Sequence, residues 1–204
     1  MVLEQLDFIT VDGIPAHPLL VHAVVVLLPL AALGGLVIAA RAAWRRRFGL
    51  VVLALTAAGV AAVPLAEETG EQLQGVLPAA NPLIQEHAAR GDDLLPFAIA
   101  FGVAVLLLVI AGRLADRERD AALVASDAAD GHADGHADAG VSGGAAPGGA
   151  VATADTGTAV ASRTWRRVAI VAAALVAFTG VATTVQVVRI GHSGASAVWQ
   201  GVGP

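Results

Sequence analysis

The chain has no cysteine, no tyrosine and no lysine, and its single methionine is Met1. Without cysteine there can be no disulfide, no thiolate metal site and no covalently attached c-type haem. With methionine confined to the first position, a soft thioether ligand for Cu(I) is excluded too. Any metal held by side chains must therefore use imidazole and carboxylate. Charge is also scarce: 14% of the residues are charged and 56% apolar, with a mean hydropathy of +0.73. A soluble domain of this size buries only about 70% of its surface, and this composition leaves too few polar residues to cover the rest. The net charge of −5 offers no basic surface, which excludes nucleic acid as a partner. No nucleophile triad, phosphate-cradling loop or zinc-protease helix is present. The glycine-rich stretch 143–149 has no lysine after it, so no motif marks an enzyme.

What is there in excess is long apolar sequence. Four runs, 19–40, 48–65, 94–111 and 168–190, are each about 18 to 23 residues long, enough for a helix to cross roughly 30 Å of hydrocarbon. All twelve basic residues are arginine, and ten of them flank the same end of the runs. Arg41, Arg45, Arg46 and Arg47 lie between the first two, Arg113, Arg117 and Arg119 after the third, and Arg163, Arg166 and Arg167 before the fourth. The positive-inside rule puts these clusters in the cytoplasm and both termini outside, with Trp44 and Trp165 at the inner interface. The predicted fold is all-α: an integral membrane antiparallel four-helix bundle in the cell membrane, with the lipid bilayer as its principal partner. Residues 1–16 read as a short acidic outer tail and not a signal peptide, because Glu4, Asp7 and Asp12 come without a basic residue. Residues 17–114 hold three spans, and 164–204 hold the fourth span and an outer tail. Between them, 115–163 is rich in Ala, Gly and Asp and reads as a disordered cytoplasmic linker. His132 and His136 belong to an Asp-rich repeat within it. Small residues at helical spacing predict close helix contacts at Gly34 and Gly35, along Ala54, Ala58 and Ala62, and along Ala169, Ala173 and Ala177. Pro29 and Pro96 are expected to bend their spans.

Apart from the two in the linker, every histidine maps to the outer side: His17 and His22 at the start of the first span, His87 before the third and His192 after the fourth. His22 lies within the apolar run, where an ionisable group is expected to face the bundle interior. His17 precedes Pro18, which favours an extended His17 hanging from the helix mouth. Five positions separate the two histidines, about 140° around a helix, so they need not share a ligand. Imidazole is the commonest metal ligand and a usual axial ligand of haem iron. His17, His22, His87 and His192 are therefore candidate ligands of a haem b. The non-haem alternative takes His22, His87 and His192 with carboxylates of the outer loop, Glu68 and Glu86. Glu67 and Glu71 stand four apart there and share a face if the second helix continues. Thr179, Thr183 and Gln186 form a polar stripe on the fourth span, expected to bond to the other helices.

Two motifs carry a resemblance: Gly13-Ile-Pro-Ala-His-Pro-Leu-Leu-Val-His22, and Gly191-His-Ser-Gly194 followed by Val198-Trp-Gln-Gly-Val-Gly203. With the span pattern, the sequence resembles the domain of unknown function 2231 family of four-span bacterial membrane proteins over most of the chain except the linker. The resemblance implies that His17, His22 and His192 match the family's motif histidines, with His87 a looser match. Related domains occur beside cytochrome or iron–sulfur modules, which implies an electron-transfer setting and a redox partner. Ala195 and Gln200 depart from the pattern. Three functions follow as expectations: a redox subunit binding haem b or another metal near its outer face, a small ion- or proton-handling transporter subunit, and an accessory membrane protein without cofactor.

Overall fold

The computed structural model describes residues 10–76, 81–133 and 155–199, with the side chains of 11, 14, 76, 128–133 and 155–163 left aside. Glu4, Asp7, His136 and 200–203 lie outside these residues. The chain enters through a hairpin, β1 (Thr10–Val11) paired antiparallel with β2 (Ile14–Pro15). Its turn residues Asp12 and Gly13 both take positive φ, 51° and 79°, as an Asp-Gly two-residue turn requires. Then follow α1 (Ala16–Ala40), α2 (Ala42–Val76), α3 (Pro82–Asp92), α4 (Leu94–Ala133) and α5 (Asp155–Trp199). A single extended residue, Arg41, reverses the chain between α1 and α2.

Helices α1, α2, α4 and α5 are each long and apolar enough to cross a membrane. They close into a ring, α1 on α2, α2 on α4, α4 on α5 and α5 back on α1. The exterior confirms what solvent they suit. Leu33 is 63% exposed and Phe178 74% exposed, outward apolar surface that only lipid can cover without cost. Inside, one cluster gathers Ile38, Val52, Phe101, Val105, Leu108 and Val176 toward the arginine-bearing end. A second gathers Val24, Leu28, Ala62, Val63, Leu94 and Val187 toward the histidine-bearing end.

Glycine sets several of these contacts. A Cβ on Gly35 would meet Val176 at 2.9 Å, one on Gly34 would meet Val52 at 3.0 Å, and one on Gly59 would meet Leu28 at 2.8 Å. The expected alanine stripe of α2 is a different matter, since Ala54 and Ala58 are exposed and only Ala62 is buried. The packed face of α2 runs instead through Val52, Thr56, Val63 and Ala66. In an all-apolar helix, hydrophobicity does not mark which face meets protein and which meets lipid. Pro29 lies inside α1, whereas Pro96 falls in the first turn of α4, where its missing N–H has no helical partner to lose.

Two further elements depart from expectation. Helix α4 continues through 115 to Ala133, and α5 begins at Asp155, so helix enters the stretch read as linker from both sides; 134–154 lie outside the described residues. Alanine-rich sequence with interleaved charges is good helix former even where it buries nothing. Helix α3 was not foreseen, although its start is well marked. The Asn81 side chain accepts a hydrogen bond from the Leu83 amide at 3.0 Å, and Pro82 opens the helix. At the opposite end, Arg46 of α2 pairs with Asp116 of α4 at 2.9 Å and with Asp120 at 3.7 Å.

Candidate functional site

With four antiparallel spans, the start of α1, the end of α2, the start of α4 and the end of α5 share one end of the bundle. Helix α3 packs at that end against α5 and α2. Here a cavity of about 90 Å³ opens. Its walls are apolar, with Val21, Val24, Val63, Leu94, Val187 and Ile190, and its polar groups are His17, Glu67, Glu71, Gln74, His87 and Asp92. Such a volume holds a few waters or a hydrated ion. It is well below the roughly 300–1,000 Å³ typical of sites for larger organic ligands.

His17 reaches the cavity because it lies inside α1, one residue past the helix start, and not in extended chain. Pro18 is tolerated there because first-turn amides have no helical acceptor. From His17 the buried stripe runs on at helical spacing through Val21, Val24 and Leu28. The His17 Nδ1 lies 2.9 Å from the Ala66 carbonyl of α2. A carbonyl only accepts, so Nδ1 carries a hydrogen, and in the neutral ring Nε2 then keeps its lone pair. His87 arrives on α3. Its Nδ1 lies 3.2 Å from the Ile190 carbonyl and 3.2 Å from Ser193 Oγ, both on α5. The same argument leaves its Nε2 as the free nitrogen, since the Ser193 hydroxyl already donates to Ile190 at 2.9 Å. Glu67 adds a carboxyl group with a buried Oε1 that has no hydrogen-bond partner among the described residues.

Both rings sit against glycine. A Cβ on Gly70 would come within 2.9 Å of the His17 ring, and one on Gly194 within 3.0 Å of the His87 ring. The polar stripe of α5 supports the same end. Thr183 donates to the Phe97 carbonyl at 3.1 Å and Gln186 to the Arg90 carbonyl at 3.2 Å, while Thr179 bonds only within its own helix.

The other candidates are placed elsewhere. His22, expected to face inward, is exposed, with its Nδ1 on the Pro18 carbonyl one turn back at 2.5 Å. The roughly 140° between His17 and His22 allows only one of them the bundle side, and His17 has it. His192 is exposed beside Ser196 and Trp199. Glu68 is exposed and Glu86 pairs with Arg90 along α3. None of these four lines the cavity, whereas Glu67, Glu71 and Asp92 do. Among the described residues no three His, Asp or Glu side chains stand together as a ready metal-binding group.

Comparison with known proteins adds one finding. The family described as Predicted membrane protein (DUF2231) matches residues 13–129, more than half of the chain. The match takes in the first motif, His17, His22 and His87, but not the motif that follows the fourth span. No curated protein and no solved structure matches the chain.

Proposed function

The chain belongs to the DUF2231 family of predicted membrane proteins, a membership that names no chemistry, and we propose from its cavity that it is a metal-binding membrane subunit working at the outer face. His17 and His87 are the protein ligands, from α1 and α3, and water completes the coordination of a first-row transition-metal ion. Imidazole with a nearby carboxylate suits Zn, Cu, Fe or Ni, and Glu67 balances the charge and accepts a hydrogen bond from bound water. One observation carries the reading: two imidazoles from separate helices line one cavity, each with Nδ1 engaged by a backbone carbonyl and Nε2 left for a ligand. That arrangement is the usual outer-shell support of a ligating histidine. A redox-active ion there would serve electron transfer to a partner protein. A haem b between the same rings would need α1, α2 and α3 to part, given about 90 Å³ of space. Transport is disfavoured by the bundle's other half, where among the described residues Ile38, Phe101, Leu108 and Val176 pack the interior and the buried Thr56 hydroxyl is spent on the Val52 carbonyl.

Metal analysis and a visible spectrum of detergent-purified full-length protein, expressed with iron, zinc and haem available, test this. The expected result is stoichiometric metal without a Soret band, lost in His17→Ala and in His87→Ala but kept in His22→Ala and His192→Ala. Glu67→Gln should weaken binding by about 10- to 100-fold, as removal of an outer-shell partner does. A Soret band lost with His17 or His87 would replace the metal by haem. Protein free of both would leave the accessory reading.

A further inference from the structure

A second site lies far from the cavity, on the outer surface of the bundle. Between α4 and α5, toward the arginine-bearing end, a groove of about 260 Å³ is lined by Leu107 of α4 and by Arg167, Val168, Val171, Ala172 and Leu175 of α5. The residues at 168, 171 and 175 follow helical spacing and make one continuous apolar stripe. It extends about 12 Å from Arg167 to Leu175 at the α-helical rise. Val168, Val171 and Leu175 remain exposed at 37%, 60% and 43%, so the stripe is open to whatever surrounds the bundle.

The charge at its rim is unspent. Near this end Asp116 pairs with Arg46 and Arg119, and Asp120 with Arg46, while Glu118 keeps a buried Oε2 without a hydrogen-bond partner among the described residues. Arg167 is exposed and makes no ion pair among the described residues. Trp165, half-buried, stands two residues away at the level where indole rings settle among headgroups. A guanidinium is a bidentate partner for phosphate, and an apolar groove running from it into the hydrocarbon matches the chain of the same molecule.

We propose that this groove is a seat for one anionic phospholipid, its phosphate on Arg167 and its acyl chain along Val168, Val171 and Leu175. Charge complementarity selects the anionic class: a zwitterionic lipid brings the same chains but no net charge for an arginine that has no carboxylate partner among the described residues. Arginine-rich ends of membrane helices face the leaflet in which anionic lipids are abundant. This site is independent of the histidine cavity and of what that cavity binds.

The test is native mass spectrometry of the full-length protein released from vesicles of equal parts phosphatidylglycerol and phosphatidylcholine. Wild type should retain phosphatidylglycerol preferentially. Arg167→Gln should lower that retention about fivefold, the effect of one arginine at the surface, and Arg167→Lys should keep most of it. Val171→Trp fills the groove without touching charge and should also release the lipid. Arg47→Gln, which removes an equal charge stacked over Phe48 on α2, should change nothing. Equal retention of the two lipids by wild type, or an unchanged preference in Arg167→Gln, would overturn the seat. A loss in Arg167→Gln with full retention in Val171→Trp would overturn it as well, because charge alone would then suffice.

Discussion

Gly70 and Gly194 hold the two cavity histidines in position by being small. The ring of His17 occupies the space a Cβ on Gly70 would take, at 2.9 Å, and His87 does the same against Gly194 at 3.0 Å. Contacts this short require the imidazole to move, because the helix backbone behind the glycine is the stiffer party. Gly70→Ala should therefore displace His17 from Ala66 and lower metal content while leaving helicity unchanged by circular dichroism; unchanged metal would show that the ring's place is immaterial. Thr183 and Gln186 act on the same scale by bonding across helices to carbonyls of Phe97 and Arg90. Thr183→Val should cost about 0.6 kcal/mol, the average for such bonds in a membrane, measured by reversible unfolding in micelles. These two polar residues were readable beforehand because they interrupt an apolar run at a spacing of three. His22 was not, since depth within a run says nothing about which side of the helix a residue takes.

Among the elements, α1 packs against α5 at Gly35, where an added Cβ would stand 2.9 Å from Val176 and any larger side chain would collide. Gly35→Leu should separate these helices and destabilise the bundle by about 1–3 kcal/mol, the usual penalty of overpacking. The same micelle unfolding measures it, with Gly75→Leu as a control, because a Cβ at Gly75 meets nothing within 4 Å. Helix α3 contributes differently. Only 11 residues long and with none of them buried, it is kept by its Asn81 cap and by His87 reaching α5. Asn81→Ala should cost about 1 kcal/mol of local stability, read as faster amide exchange across 82–92 than across α4. Equal exchange in mutant and wild type would show that tertiary contact alone keeps this helix.

For the whole molecule, the distribution of arginine predicts that the histidine-bearing end faces outward. The chain lacks cysteine, so single-cysteine labelling starts from a silent background. Gly75→Cys should react with a membrane-impermeant maleimide in intact cells, and Asp127→Cys only after permeabilisation. The reverse pattern would turn the bundle over and put the metal-site proposal in the cytoplasm.

Membrane spans, their number and their arginine-marked ends could be read from the chain because each depends on how one segment partitions between water and hydrocarbon, a property summed over neighbours in sequence. That sum identifies an all-α bundle and a set of histidines at one end of it. It cannot say which side of a uniformly apolar helix meets protein. Packing decided that. It turned His17 inward and His22 outward, passed over Ala54 and Ala58 for the face through Thr56 and Val63, and brought His87 to α5 on a helix too short to show in hydropathy. The cavity draws together His17 and His87, 70 positions apart in sequence, with Glu67 on its wall. Such a meeting exists only once the helices have chosen their partners.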